Sequence, residues 1–376
     1  MSHSIRSPLG EVTIEARSIA LRWPDGRRGV VPFAWLRDSC PCPVCRHPAS
    51  GQRLLEPSAI PHDIHPAEAH LDGDDLLVVW APDRHLSTYA GAWLRDRDGE
   101  PLARPVRLWD ASIGRDLPLA DHAAIAGDPR QLCRWLRRVD ELGFGVLSGV
   151  PIADREVARV AGLFAHVRTT NYGRVFDVRS VVEPANLANT SLGLGPHTDN
   201  PYRDPVPTLQ LLHCLSSSAR GGESTLVDGF CVLEHLRAER PGDFALLSGH
   251  SVAFSYDDAT TTLRASAPII ELDPAGDVRA VRFNARSMEP PAMAATELAD
   301  WYDAYLRLAR MLTDERFQLR LRLEPGELFI VDNRRVLHGR APFAVSRGER
   351  HLQGCYADID GMRSTLALLA REDDVA

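Results

Sequence analysis

Pro196 to Pro201 reads PHTDNP, and Phe329 to Arg340 reads FIVDNRRVLHGR. Together these stretches supply His197, Asp199 and His338, two imidazoles and one carboxylate. Iron used for oxygen chemistry takes two neutral imidazoles and one anionic oxygen on one face, which leaves the opposite positions open for a co-substrate and O2. A His-x-Asp pair on extended or turn backbone lets both side chains reach one ion, and a distant strand end supplies the third ligand. The spacing alone carries little information, because His70-Leu71-Asp72 shows it too, inside the polar, turn-like HLDGDD. His197 differs in its company. After it come the apolar run LQLLHCL (Leu209 to Leu215), a Gly221-Gly222 turn and the run Thr225 to Val227, and His338 follows the strand-like Leu328 to Val331.

Arg350 opens RHLQGCYAD, twelve residues after His338. Its guanidinium is a planar fork that pairs bidentately with a carboxylate, which suits the far end of a 2-oxoglutarate bound at such an iron.

The chain resembles the taurine dioxygenase superfamily of Fe(II)/2-oxoglutarate oxygenases, and within it the γ-butyrobetaine dioxygenase branch. The matching pieces run in order along nearly the whole chain: WLRDSCPCPVC (Trp35 to Cys45), PDRHLSTYAGAWL (Pro82 to Leu94), GFGVLSGVP (Gly143 to Pro151), NYGRVFDVRS (Asn171 to Ser180), PHTDNP, LQLLHC, GGESTLVDGF (Gly221 to Phe230), VDNRRVLHGR and RHLQGCYADID. The resemblance implies a distorted double-stranded β-helix (jelly roll) flanked by helices, where periodicity by itself supports only a β-rich mixed α/β structure. It implies an Fe(II)-dependent hydroxylation of an unactivated aliphatic C–H bond, with 2-oxoglutarate and O2 as co-substrates and succinate and CO2 released. His197, Asp199 and His338 would hold the iron and Arg350 the 2-oxoglutarate. Ser224 stands where relatives place a hydroxyl donor to 2-oxoglutarate, with Thr225 equally able to donate.

Three cysteines crowd into Cys40-Pro-Cys42-Pro-Val-Cys45, too close for mutual disulfides and well spaced to wrap one tetrahedral zinc. The fourth ligand is His47 or His85. His47 would close the tetrahedron from one short, strained loop, whereas His85, in a turn after the strand-like Leu76 to Trp80, ties the loop to a neighbouring element. The resemblance agrees with His85, and four filled positions make this zinc structural. Redox or persulfide chemistry at these thiols is the minor alternative. Cys133, Cys214 and Cys355 sit among apolar neighbours and read as core packing.

With 376 residues, 44% hydrophobic and 25% charged, the chain can bury one large core and a smaller one. A formal charge of −8 and a pI near 6.0 disfavour a nucleic-acid surface. The N-terminus lacks a signal-peptide core and no stretch approaches the roughly 20 apolar residues of a membrane span, so a cytoplasmic enzyme is expected. The Gly/Pro-bearing, aperiodic stretch between Trp93 and Leu119 reads as a linker. We therefore expect a β-rich zinc-binding domain over residues 1–105, with strands near Val12 to Ile14, Ile19 to Trp23 and Leu76 to Trp80, and an oxygenase domain over 106–376. Helical spacing predicts helices over 128–142, 154–167 and 294–312, the last with aromatics serving the core, and a strand over 144–147. By resemblance alone, a homodimer is expected.

The substrate is the least legible part. In γ-butyrobetaine enzymes a trimethylammonium group lies among aromatic rings, held by cation–π attraction of about 0.5–2 kcal/mol per contact. Tyr172 and Phe176 match part of that cage. Asn189 and Asn200 stand where the resemblance implies tyrosines, and Tyr202 offers a ring two residues on. Asn186 matches an amide that holds the substrate carboxylate, and Asn284 in RFNARS is a second such candidate. The reading is a small polar, zwitterionic or carboxylated aliphatic substrate. A trimethylammonium substrate, or a desaturase or cyclase reaction on the same scaffold, stays open. Two other classes are a non-redox metal hydrolase, which leaves Arg350 without a role, and a zinc-dependent interaction protein with a vestigial iron site, which the intact ligand set opposes.

Overall fold

The computed structural model describes residues 9–97, 106–179, 190–344 and 348–373. These fall into two compact units, one within residues 1–104 and the other within 105–374.

The first unit is built on two three-stranded antiparallel sheets, Glu11–Ile14, Ser18–Arg22 and Arg28–Pro32, and His65–Asp72, Asp75–Ala81 and Leu86–Ala90. The Asp75–Ala81 strand, DLLVVWA, sends Leu76, Val78 and Trp80 to one face, where all three are fully buried with Ile19, Trp23 and Leu94. This is the period-2 pattern of a half-buried strand. His70 and Asp72 sit on the neighbouring His65–Asp72 strand, and they belong to no cluster of metal-binding side chains among the described residues.

The second unit is a sandwich of two sheets. The larger runs in the order Phe176–Arg179, Arg350–Ala357, Leu209–Ser217, Leu328–Asp332, Phe144–Ser148 and Leu119–Asp121, with Val167–Arg168 pairing on Arg350–Ala357. The smaller is Leu194–His197, Val336–Arg340, Ser224–Asp228 and Gln318–Leu321. Strand parity assigns each side chain to a layer. Leu212, Cys214, Phe329, Val331 and Leu352 meet Leu226, Leu319 and Val336 between the sheets. Leu209, Leu211, Leu328, Ile330 and Cys355 face outward and are covered by the helices Pro129–Leu142 and Glu156–Ala161 and by Met362 of Ile359–Asp373. Beyond the smaller sheet, Val227 and Leu337 pack under the helices Gly229–Glu239, Pro241–Gly249 and Ala295–Thr313.

The helices expected over 128–142 and 294–312 form as Pro129–Leu142 and Ala295–Thr313, and Trp301 and Tyr305 of the latter stack in the core. The expected 154–167 helix is shorter. Arg155 adopts a left-handed conformation, the helix is confined to Glu156–Ala161, and Val167–Arg168 is drawn into the larger sheet. The linker reading also needs correction. From Trp109 onward that stretch is part of the second unit, because Trp109 packs on Phe144 and donates its indole N–H to the Leu142 carbonyl at 2.7 Å.

One buried ion pair ties this unit together. Arg335 donates to both oxygens of Asp228 at 3.0 and 2.8 Å and to the carbonyls of Glu141 and Arg107, while Asp228 also accepts from the backbone N–H groups of Trp109 and Phe230. Both side chains are essentially inaccessible, at 3% and 0%. Removing one partner from such a pair leaves an uncompensated charge costing roughly 3–5 kcal/mol. Asp228→Asn, which keeps the shape and removes the charge, is expected to lower stability by that amount in chemical denaturation, and a loss below about 1 kcal/mol would contradict the role given to the pair.

Candidate active site and metal centres

The smaller sheet builds the metal site through its register. His197 ends the Leu194–His197 strand directly opposite His338 on Val336–Arg340, and the two rings lie 4.4 Å apart between centroids. The turn after His197 brings Asp199 back to them, with its carboxylate oxygens 3.4 Å from His197 Nε2 and 3.8 Å from His338 Nε2. His197 Nδ1 lies 2.9 Å from the Gly195 carbonyl. A proton held there leaves Nε2 as the free lone pair facing the other two ligands.

Asp199 is held on every side. Asn333 clamps its backbone, accepting from its N–H at 2.7 Å and donating to its carbonyl at 2.9 Å. Gln210 and Tyr356 both donate to Oδ2, at 2.5 and 2.7 Å. Burial pushes the Asp199 carboxyl up, but the neighbouring imidazoles and the Tyr356 hydroxyl more than offset it and leave it well below the ordinary carboxylate range. Burial, reinforced by His197, pushes His338 down to about 3, so its imidazole is neutral near pH 7. The result is one carboxylate and two imidazoles converging on one point, a donor set that fits a divalent cation and matches the open-faced iron type.

Arg350 reaches the same cavity from the larger sheet, since residues 350, 352, 354 and 356 share the inward parity of their strand. Its Nε donates to the Gly222 carbonyl at 3.0 Å and an Nη2 lies 3.5 Å from Ser224 Oγ. Gly222 is required there. It has φ +79°, and a Cβ on it would come within 2.9 Å of Arg350 Cδ. Ser224 faces the cavity and Thr225 does not, so strand parity separates the two hydroxyls. Among the described residues no carboxylate pairs with Arg350. Burial, and then the nearby Arg340, pushes its guanidinium down to about 10. A buried cation offered only neutral partners calls for an anion.

The cavity that joins these groups has a volume of about 480 Å³, within the range of small-molecule sites. One wall is aromatic. Tyr172 lies 6.2 Å from Phe176 and 5.8 Å from Tyr256, Tyr202 stacks on Tyr256 at 5.1 Å, and Phe176 lies 5.0 Å from Tyr356. The Tyr172 and Tyr202 hydroxyls are hydrogen-bonded at 2.9 Å, and Tyr202 donates onward to Asn200 Oδ1. Asn200 lines the cavity. Asn284 does too, but its amide is already engaged: Nδ2 donates to the Thr198 carbonyl and Oδ1 accepts from the Arg286 N–H. Asn186 and Asn189 lie outside the described residues. Sequence reasoning missed Gln210, Asn333, Tyr356, Tyr256 and Arg286. Gln210 carried a signal, as a polar residue inside LQLLHCL on the parity of Leu212 and Cys214.

In the first unit, the Cys40, Cys42 and Cys45 sulfurs stand 3.3, 3.5 and 3.5 Å from His85 Nε2. Zinc bonds of about 2.3 Å to sulfur and 2.0 Å to nitrogen give a tetrahedron with S···N edges of about 3.5 Å, so these residues could hold zinc. Arg37 lies against the cluster, donating to Cys45 Sγ and pairing with Asp83. His47 lies elsewhere, exposed, with Nδ1 accepting from the Ser50 N–H.

Comparison with known proteins gives consistent matches. Residues 100–356 match the model of the taurine catabolism dioxygenase TauD, TfdA family, and residues 11–95 match the γ-butyrobetaine hydroxylase-like N-terminal model. The chain is 39% identical to a γ-butyrobetaine dioxygenase of Pseudomonas sp. (strain AK-1), with 97% of each chain covered. It is 29% identical to a trimethyllysine dioxygenase of Meyerozyma guilliermondii, covering 96% and 95%. Among solved structures, PvcB of Pseudomonas aeruginosa aligns with a TM-score of 0.48 at 20% identity, over 69% of this chain and 93% of that one.

Two outcomes are expected. Cys42→Ala should lose zinc and lower the melting temperature, since structural zinc contributes folding free energy; metal analysis that still finds a full equivalent of zinc would remove Cys42 from the ligand set. Tyr356→Phe should weaken Fe(II) binding by roughly 10–100-fold by removing one of the two donors on Asp199 Oδ2, and an unchanged affinity in equilibrium titration would show that Tyr356 does not brace the ligand.

Proposed function

The chain belongs to the taurine catabolism dioxygenase TauD, TfdA family, and from that premise we propose that it hydroxylates an unactivated aliphatic C–H bond of a small zwitterionic or carboxylated molecule. As a member of that family it is an Fe(II)- and 2-oxoglutarate-dependent dioxygenase acting on a small-molecule substrate.

The observation that carries the proposal is the meeting, in one cavity of about 480 Å³, of the His197–Asp199–His338 set with an Arg350 that lacks a carboxylate partner among the described residues. Iron held by that set would activate O2, one atom of which enters succinate as 2-oxoglutarate loses CO2 and the other the substrate C–H bond. The remaining work falls to the chain. Arg350 and Ser224 fix the far carboxylate of 2-oxoglutarate, so that its other end meets the metal face. Gln210, Tyr356 and Asn333 hold Asp199 in one orientation. Burial and Asp199 keep the Tyr356 phenol far above its ordinary range, so it remains a donor at all working pH. The aromatic wall excludes water and holds the target carbon near the metal, where positioning supplies much of the rate.

A second reading makes γ-butyrobetaine itself the substrate. It is favoured by the name of the 39%-identical relative and by Tyr202, Tyr256 and Tyr356, which add rings to Tyr172 and Phe176 and offset the tyrosine replaced by Asn200. Desaturation or cyclisation would use the same site. We assign residues 1–105 to a zinc-binding domain and 106–376 to the catalytic domain, and we place the enzyme in the cytoplasm as a homodimer. No described helix is long and apolar enough to cross a membrane.

The test is succinate release by Fe(II)-reconstituted protein with 2-oxoglutarate and O2, screened against γ-butyrobetaine, trimethyllysine, aminophosphonates and amino acids. Substrate-stimulated succinate is expected for at least one zwitterion, and His197→Ala should abolish it while leaving zinc content and fold intact. Full turnover by His197→Ala would overturn the metal assignment.

A further inference from the structure

We propose that Asn200 and Arg286 form an anion subsite that binds the acid group of the substrate and turns its other end toward the aromatic wall. The inference rests on the small zwitterionic or carboxylated substrate read above and specifies what recognises it.

Asn200 is 3% exposed, has φ +52° and lines the cavity. Its Oδ1 is taken by the Tyr202 hydroxyl, which orients the amide, while Nδ2 is buried with no acceptor. A buried donor left unmade costs roughly 1–3 kcal/mol, so its acceptor is expected to arrive with a ligand. Arg286 lines the same cavity. Its backbone N–H is fixed on Asn284 Oδ1, and Asn284 in turn donates to the Thr198 carbonyl, so the 284–287 turn is pinned to the segment that carries Asn200. Among the described residues the Arg286 guanidinium has no hydrogen bond and no ion pair. The residue keeps contact with solvent; partial desolvation lowers its pKa, and the nearby Asp199 and Tyr202 act in the opposite direction.

Two donors without acceptors, one of them charged, therefore face one cavity from adjoining segments. An arginine fork and an amide N–H lining one cavity suit a carboxylate, with a sulfonate or phosphonate as the larger members of the class. The charge also discriminates. Near Arg286 a purely cationic molecule is repelled, so a positive group is tolerated only at the far end, against the rings of Tyr172 and Phe176. Asn200, which departs from the family's tyrosine, then exchanges one ring of a cage for a hydrogen bond to the acid.

The test uses anaerobic holoenzyme loaded with Fe(II) and 2-oxoglutarate. Calorimetry compares γ-butyrobetaine with its methyl ester, and hexanoate with hexanamide. The wild type is expected to bind each acid at least tenfold more tightly than its neutral partner. Arg286→Gln should bring that ratio close to one while leaving 2-oxoglutarate affinity unchanged, and Asn200→Asp, which keeps the acceptor for Tyr202 but replaces the donor by an anion, should weaken the acids selectively. An acid preference that survives in Arg286→Gln overturns the subsite and leaves the substrate reading standing. A wild type with no acid preference in either pair overturns both. Loss of 2-oxoglutarate binding in Arg286→Gln would move Arg286 to the co-substrate and overturn the subsite as well.

Discussion

The structure of the second unit turns on keeping one half-buried carboxylate, that of Asp199, ionised. An anion drawn out of water is costly, and the Asn333 clamp on its backbone and the Gln210 and Tyr356 donors on its Oδ2 offset that cost, while the His197 and His338 imidazoles beside it complete the ligand set. These groups come from both sheets. The two layers must therefore close on each other in one register for the carboxylate to be satisfied, and a metal cation completes the compensation.

The same cavity carries guanidinium groups. Arg350 reaches in from the larger sheet and Arg286 from the segment beside Asn200. A dicarboxylate co-substrate and an acid-bearing substrate fit such a division, each with an anionic end held by an arginine. The rings between them are neutral, and they give apolar or weakly cationic parts of a small molecule a surface to lie on. Recognition in this account is a matter of where uncompensated charge has been left.

How much of this was legible from the sequence follows from the range of the interactions. Runs such as LQLLHCL and LFIV announce strands because their burial is encoded residue by residue, and the cysteine cluster, the iron ligands and Arg350 announce themselves as motifs. The shortened helix after Arg155 was not legible, because the competing partner of Val167–Arg168 lies at Tyr356 and Ala357, far along the chain. Gln210, Asn333 and Tyr356 acquire a role only when the sheets meet around Asp199. Tyr256 and Arg286 enter the cavity from a hairpin and a turn that no local pattern connects to the iron motif. Trp109 hid in an aperiodic stretch, since its partners Leu142, Phe144 and Asp228 are all distant in sequence.

The most direct measurement is X-ray diffraction from anaerobically grown crystals with Fe(II) and 2-oxoglutarate, recorded at the iron and zinc absorption edges. An iron signal is expected among His197, Asp199 and His338, a separate zinc signal among Cys40, Cys42, Cys45 and His85, and a 2-oxoglutarate carboxylate against Arg350. No iron signal at the first site, or a 2-oxoglutarate bound away from Arg350, would contradict these assignments.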